Sequence, residues 1–329
     1  MERDQYGYCS GLEKKAVKVL DRRGLTAFER AVRERPCDGV DGSYAQRRSV
    51  EILKTIHEAR RDVDAYRALG EAQGDLSPRD CEVLADMCLM RRRPEEALAW
   101  VERGIEQEKR RSWPESAWRL RDLEREILTK LGRSDDALAS AWEDYRRSPS
   151  THSYDDLMKF VPKGSHREWH EKAMAALDAA DLASTIDLLV KTKELERLGG
   201  VVDLATRESL TRLSHYTTEP AAKKLEGSHP LLAAKLRIAM ALRILDAKKS
   251  KYYDAALANL GRARKVLLRE GRSEEWEALA REIRERHRRK TGFMSDFERV
   301  TEKPSKELSF LDRARKRWAT EPERRREGA

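Results

Sequence analysis

The chain has 329 residues and a net charge of +9, and hydrophobic and charged residues each make up 39% of it. The hydrophobic share is below the roughly 45–50% of an average globular domain, so the composition excludes a single thick core. An elongated stack of amphipathic helices fits these proportions, because each helix buries one apolar stripe and keeps a wide charged face in water.

The sequence contains no signal for membrane insertion or secretion. No apolar stretch approaches the roughly 20 residues that a membrane-spanning helix needs. The first residues, Met1 to Gln5, lack the basic and then apolar order of a signal peptide. The four cysteines are too few and too scattered for a disulfide framework in a chain of this size. We therefore expect a cytoplasmic protein that has no membrane partner.

Residues 1–200 are predicted to form an N-terminal array of helical hairpins, because their apolar residues recur at helical spacing. The clearest helix begins at Pro78, with the hydroxyl of Ser77 as its N-cap. In the next pair of helices, Gly132 marks a helix end and Ser134 caps the helix that follows. Short connections of this kind predict antiparallel neighbours.

The second part of the sequence has a weaker pattern before helical spacing resumes. Gly199 and Gly200 break the apolar run, and residues 217–220 have the composition of a turn, so residues 201–227 are predicted to be an irregular connection. Residues 228–300 are predicted to form C-terminal helical hairpins, and residues 301–329 a basic tail with one short helix. No segment alternates with period two over the length of a strand, so the predicted fold class is all-α.

Three of the predicted helices share a spacing of small and apolar residues, with Asp144 in place of the last small residue in the second of them. The sets are Ala97, Val101 and Gly104; then Ala137, Ala141 and Asp144; then Ala256, Leu260 and Ala263. This spacing resembles that of the tetratricopeptide repeat, whose second helix carries alanine, an apolar residue four positions later and alanine three positions after that. The resemblance implies a right-handed solenoid of antiparallel helical hairpins.

A second resemblance extends roughly from Gly11 to Val300. It is carried by the runs Asp62-Val63-Asp64-Ala65-Tyr66, Arg93-Pro94-Glu95-Glu96-Ala97-Leu98-Ala99-Trp100, Leu131-Gly132-Arg133-Ser134-Asp135-Asp136-Ala137, Tyr252-Tyr253-Asp254-Ala255-Ala256 and His287-Arg288-Arg289-Lys290-Thr291-Gly292-Phe293. These runs resemble the helical region that follows the zinc finger in bacterial SWIM zinc-finger proteins. The Cys-x-Cys and Cys-x-His pairs of that finger are missing from this sequence. The resemblance therefore implies an architecture and transfers no metal site or activity.

The sequence shows no constellation of catalytic residues. His166 and His170 lie four residues apart on a predicted helix, a spacing that allows zinc chelation. A zinc hydrolase would carry glutamate directly after the first histidine, where this chain has Arg167. We find neither a nucleotide-binding fingerprint nor a nucleophile elbow. We therefore expect no enzymatic activity, no cofactor and no metal.

The positive charge is concentrated at the C-terminal end. Residues 281–329 contain 16 Lys or Arg and 10 Asp or Glu, which gives this stretch +6 of the net charge of +9. Such a density is typical of a solvated helix end, where the helix macrodipole favours cations, or of a surface that contacts phosphates. The candidate nucleic-acid-binding residues are Arg284, Arg286, Arg288, Arg289, Lys290, Arg313, Lys316 and Arg317.

Trp100, Trp142 and Trp276 lie on or near the predicted apolar stripes, whereas Trp113 and Trp318 lie in less apolar surroundings. Trp113 and Trp318 are candidate anchors for a partner, although Trp318 also suits docking onto the last hairpin. The favoured hypothesis is a non-enzymatic scaffold that binds an unidentified protein partner, because stacked hairpins expose long interaction surfaces. The alternative is sequence-independent nucleic-acid binding through the basic C-terminal region. The sequence leaves the oligomeric state open.

Overall fold

The computed structural model describes residues 11–34, 42–110, 117–177, 180–247 and 249–301. Its regular structure consists of helices, and no strand occurs in these residues, which confirms the all-α fold class there. The chain folds as two compact units. The first comprises Met1–Ser148 with His152–Ala176, and the second comprises Pro149–Thr151 with Leu177–Ala329.

Within the described residues the first unit contains ten helices. Among the residues of these helices, only Thr151 at the start of α9 is grouped with the second unit. They are α1 (Leu12–Val19), α2 (Arg22–Arg33), α3 (Gly42–Arg60), α4 (Val63–Glu71), α5 (Pro78–Met90), α6 (Pro94–Lys109), α7 (Ala117–Lys130), α8 (Ser134–Arg147), α9 (Thr151–Phe160) and α10 (His166–Ala175).

The second unit continues the pattern with eight α-helices and a short 3₁₀ turn at Ser250–Tyr252, again counting only described residues. Its helices are α11 (Leu182–Thr192), α12 (Leu195–Leu204), α13 (Arg207–Arg212), α14 (His215–Leu225), α15 (Pro230–Asp246), α16 (Tyr253–Arg269), α17 (Ser273–His287) and α18 (Thr291–Thr301).

The same tight turn joins five pairs of consecutive helices: α3 to α4, α5 to α6, α7 to α8, α11 to α12 and α16 to α17. One residue of each turn adopts a left-handed backbone conformation, and these residues are Arg61, Arg92, Gly132, Lys193 and Gly271. The amide of the residue that follows donates to a carbonyl five positions earlier, as Arg93 does to Cys88 over 2.9 Å. This hydrogen bond gives a partner to a carbonyl in the last turn of each helix, where carbonyls have no partner within the helix.

Small residues allow consecutive helices to approach closely at the predicted positions. Ala97, Ala137 and Ala256 are fully buried. Gly104 of α6 lies at such a contact, because a Cβ built there would lie 3.0 Å from Cβ of Cys81 on α5 and 3.0 Å from a methyl carbon of Leu120 on α7. A larger residue at these positions would separate the helices.

Residues 201–227 are helical, which differs from the irregular connection expected for them. They contain the end of α12 and all of α13 and α14. The hydroxyls of Thr206 and Ser214 act as N-caps, accepting from backbone amides at 3.1 and 3.3 Å. Gly199 lies within α12, where a Cβ would be 3.2 Å from the ring of His229, and Pro220 lies within α14. Residues with the composition of turns thus have other roles here: Thr206 and Ser214 cap helices, and Gly199 allows close contact between α12 and His229.

Candidate interaction surfaces

The structure uses Arg284, the first of the predicted nucleic-acid ligands, for an internal contact. Its guanidinium donates two hydrogen bonds to the carboxylate of Glu298, each 3.0 Å long, and a third to the hydroxyl of Thr301 at 3.1 Å. The hydrogen bonds from Arg284 hold the pKa of Glu298 below its ordinary value. Arg284 therefore joins α17 to α18, and its charge is balanced within the fold.

Two further members of the predicted cluster contact the C-terminal end of α15. Arg286 forms an ion pair with Asp246 at 3.1 Å, and the ammonium of Lys290 donates to the backbone carbonyl of Leu245. Cations at this position are favoured by the negative end of the helix macrodipole. Arg288 and Arg289 are exposed, and neither has an ion-pair or hydrogen-bond partner among the described residues.

The remaining residues predicted for interactions lie outside the described residues. These are Arg313, Lys316, Arg317, Trp113 and Trp318. Of the five residues in the first part of the cluster, the structure therefore leaves two, Arg288 and Arg289, exposed and without a partner among the described residues.

The second unit contains an open cleft among its described residues. It has a volume of about 830 Å³ and lies between α12, α13, α15, α16 and α17. We call it the apolar cleft, because its floor is built from Pro230, Leu231, Leu232, Ile238, Leu267 and Leu279. Its rim carries charges of both signs from Asp203, Arg207, Lys235, Glu270, Arg272, Glu275 and Glu282.

Polar contacts link the helices around the apolar cleft. The ammonium of Lys235 donates to the carbonyls of Val202 and Asp203 at 2.9 and 2.7 Å, which caps the C-terminal end of α12. Across the cleft, Arg207 of α13 forms an ion pair with Glu282 of α17 at 2.6 Å. Because both of these side chains are more than 40% exposed, that pair contributes only about 0–1 kcal/mol and opens at little cost.

The sequence alone does not mark the apolar cleft as a site. The apolar spacing places Leu231 and Ile238 on the inward stripe of one helix, and Leu279 on the stripe of another. Such a stripe looks the same in sequence whether the facing helix covers it fully or leaves part of it open. Only the positions of the neighbouring helices decide which residues line a cleft.

Tryptophans on the predicted apolar stripes pack inside the units. Trp276 is 1% exposed in the second unit. In the first unit Trp142 and Trp169 meet edge to face with ring centroids 5.6 Å apart, and the ammonium of Lys172 lies 4.5 and 4.0 Å from the two rings. This arrangement is a cation–π contact that ties α8 to α10.

Among the described residues, no group of three or more histidine, cysteine or acidic side chains is arranged so that it could hold a metal ion. His166 and His170 have separate partners, since Nδ1 of His170 lies 2.8 Å from the hydroxyl of Tyr154 and Nδ1 of His166 lies 3.1 Å from the carbonyl of Pro162. Burial raises the pKa of Cys81 and Cys88 to about 11, so both thiols are protonated at neutral pH.

Comparison with known proteins places the chain in a family. None of the helices in the described ranges is long and apolar enough to cross a membrane. No curated protein matches the sequence. A family model covers residues 40–296, which is well over half of the chain and includes all the residues that line the apolar cleft. The chain therefore belongs to DUF6880, a family of unknown function.

Proposed function

We propose that this protein is a non-enzymatic interaction scaffold that binds an amphipathic segment of a partner protein in the apolar cleft. The single observation that carries the proposal is the open apolar floor between α13, α15 and α17. Apolar side chains of a partner gain free energy by leaving water at such a floor, roughly 25 cal/mol for each Å² that is buried. Charges at the rim would pair with polar residues beside them.

The polar groups of the apolar cleft favour a peptide over a small molecule. A small ligand is held by a few polar groups that converge on it. Here the ammonium of Lys235 is bonded to backbone carbonyls, and Arg207 is paired with Glu282. The cleft thus has an apolar floor, and these polar groups already have hydrogen-bond or ion-pair partners within the fold. An amphipathic helix lying in a groove needs little more than this.

We further propose that the hairpins within each unit stack as a right-handed, tetratricopeptide-like solenoid. The recurrent left-handed turn and the small residues at Ala97, Ala137 and Ala256 support this arrangement. The resemblance to the helical region of bacterial SWIM zinc-finger proteins stays a prediction, as does a cytoplasmic location. A zinc-finger protein acting as a separate partner would fit both proposals.

Selection from a library of random peptides tests the proposed function even while the partner is unidentified. Peptides enriched on the purified chain should carry apolar residues at positions i, i+3 or i+4, and i+7, because one helix face then meets the floor. They should compete with one another for a single site. Failure to enrich any peptide, or enrichment of sequences without apolar residues, would argue against the apolar cleft as a binding site.

The second candidate function is nucleic-acid binding through the basic C-terminal region. It is favoured by the exposed arginines Arg288 and Arg289, which have no described partner, and by the basic residues predicted in the tail. Binding of this kind does not depend on base sequence and weakens steeply with salt as counterions are released. Fluorescence anisotropy with duplex DNA and duplex RNA at low salt tests it, and absence of binding to both would remove this function.

A further inference from the structure

A second groove lies on another face of α15. It has a volume of about 600 Å³ and runs between α14, α15 and α16. We call it the basic groove, because five cationic side chains and one carboxylate line it. The cations are Lys223, Arg237, Arg262, Lys265 and Arg269, and the carboxylate is Glu226.

Three of the five cations of the basic groove already have acidic partners. Arg237 is 3% exposed and donates to Glu226, with a further hydrogen bond to the amide oxygen of Asn259 at 3.0 Å. Lys223 and Arg269 form exposed ion pairs with Glu219 and Glu270 at 2.9 and 3.0 Å. Such exposed pairs exchange readily with another carboxylate.

Arg262 and Lys265 provide the uncompensated charge of the basic groove. Both side chains are exposed, and neither has a partner among the described residues. Together with Arg269 they lie three and four positions apart on α16, which places the three cations on one helix face. Their spacing extends over about 10 Å of helix length, since each residue adds about 1.5 Å.

The N-terminal end of α15 adds to the positive potential of the basic groove. Pro230, the first residue of that helix, lines the groove. The first turn of α15 contains no acidic residue, and no side chain caps its N-terminus. The partial positive charge of the macrodipole at this end is therefore not compensated by the helix itself.

The other residues that line the basic groove favour an acidic protein segment over a nucleic acid as its partner. Ala233, Ala234 and Val266 contribute small apolar surfaces, and no aromatic side chain lines the groove within the described residues. Proteins that bind single-stranded nucleic acid stack the bases on aromatic side chains. A groove with small apolar residues between its cations instead suits a polypeptide whose carboxylates accept hydrogen bonds from those cations.

We propose that the basic groove binds an acidic segment of a protein partner. Carboxylates of that segment accept hydrogen bonds from Arg262 and Lys265, and one end of the segment lies against the N-terminus of α15. Of the residues that line the basic groove, only Pro230 also lines the apolar cleft, so this proposal stands or fails independently of the proposed function. A substitution that fills the apolar cleft, such as Ala278→Trp, should leave binding in the basic groove unchanged.

Fluorescence anisotropy with a labelled peptide of repeating Glu-Ala-Ala units tests the proposal. The full chain should bind this peptide at low salt, and binding should weaken as salt is raised. The double variant Arg262→Glu with Lys265→Glu should bind at least about tenfold more weakly, because two charge-assisted contacts are lost. The matched control reverses Lys14 and Lys15, two exposed residues of α1, and should bind as the unchanged chain does.

Other outcomes of the same experiment overturn the proposal. They are equal binding by the groove variant and the control, equal binding of the corresponding Gln-Ala-Ala peptide, and preferential binding of an oligothymidylate that the acidic peptide does not displace. If the charge-reversed variant fails to fold, the neutral pair Arg262→Gln with Lys265→Gln serves instead. A smaller but measurable loss of affinity is then expected, and no loss contradicts the proposal.

Discussion

The carboxylate of Glu298 accepts two hydrogen bonds from the guanidinium of Arg284, both 3.0 Å long, across the contact between α17 and α18. The predicted basic cluster therefore contains residues that form contacts within the fold, such as Arg284, and residues that have no partner among the described residues. Arg288 and Arg289 are in the second group.

A comparison of substitutions tests that division. If nucleic acid binds at this region, Arg288→Gln with Arg289→Gln should weaken binding and lower the salt slope by about 1 for each lost phosphate contact. Arg284→Gln should leave the affinity nearly unchanged and lower the free energy of unfolding by no more than about 1 kcal/mol, since the ion pair is partly exposed. Anisotropy and urea denaturation measure the two quantities. An equal loss of affinity in both variants would show that Arg284 leaves Glu298 to bind phosphate.

The recurrent turn predicts opposite effects of glycine at neighbouring positions. Arg92 has a φ of 59°, a region that costs a side-chain-bearing residue about 1–2 kcal/mol, whereas Arg91 has a φ of −89°. Arg92→Gly should therefore raise the free energy of unfolding by about 0.5–1 kcal/mol. Arg91→Gly, which removes the same charge, should lower it. Gly132→Ala should cost about 1 kcal/mol, because Gly132 has a φ of 74°. Urea denaturation of the three variants gives the values, and stabilisation by Arg91→Gly would refute this account.

The hydrogen bonds of the Asp80 carboxylate predict that the folded protein loses stability in acid. Burial acts to raise the pKa of this carboxyl, but hydrogen bonds from Lys54 and Ser77 outweigh that effect and hold the pKa below its ordinary value of 3.8. The ionised form is thus favoured by folding, so its contribution is present above about pH 4 and is lost as the pH falls through the folded-state pKa.

Asp80→Asn tests this assignment. The variant should melt at a lower temperature than the unchanged chain at pH 7, because the contacts of the carboxylate with Lys54, Tyr66 and Ser77 are weakened. The difference between the two melting temperatures should shrink as the pH is lowered toward 3. A difference that stays constant over this range would mean that the ionisation of Asp80 is not coupled to folding.

The fully buried Ala97 and Ala256 predict sensitivity to larger side chains, one in each unit. Ala97→Trp and Ala256→Trp should each destabilise the fold by about 1–3 kcal/mol, because extra volume forces tightly packed helices apart. Ala99→Trp is the matched control, since Ala99 is exposed on α6. Thermal unfolding should show lower midpoints for the two buried positions, and unchanged midpoints in both would contradict the packing of these hairpins.

Local sequence signals predicted the elements whose determinants lie close together in the chain. Ser77 caps α5 as expected, with Asp80 completing a reciprocal capping box, and Gly132 ends α7. The predicted cap at Ser134 is wrong, because Ser134 is the first residue of α8 and no side chain caps that helix. Gly199 shows where such reasoning fails. A glycine pair is a helix breaker by propensity, but here Gly199 allows α12 to approach the ring of His229, which is 30 positions away in sequence.

The interaction surfaces were harder to predict for the same reason. A run of cations in sequence gives no information about acids that other helices bring to it. Glu298 reaches Arg284 only because α18 packs beside α17, and Asp246 reaches Arg286 from the end of α15. The basic groove also depends on three helices, and its cations on α16 have the spacing of an ordinary solvated helix face.

The central claim is that the apolar cleft is the protein-binding site. Its most direct test compares the affinity of a library-selected peptide for two tryptophan variants. Ala278 is exposed on α17 and lines the cleft, so Ala278→Trp should fill it without disturbing the core. Ala258 is exposed on α16 outside the cleft, so Ala258→Trp is the matched control. We predict that titration calorimetry will show at least about tenfold weaker binding for Ala278→Trp, a loss of about 1.4 kcal/mol, and unchanged binding for Ala258→Trp, with both variants melting as the unchanged chain does. Equal affinity of the two variants for the peptide would contradict the claim.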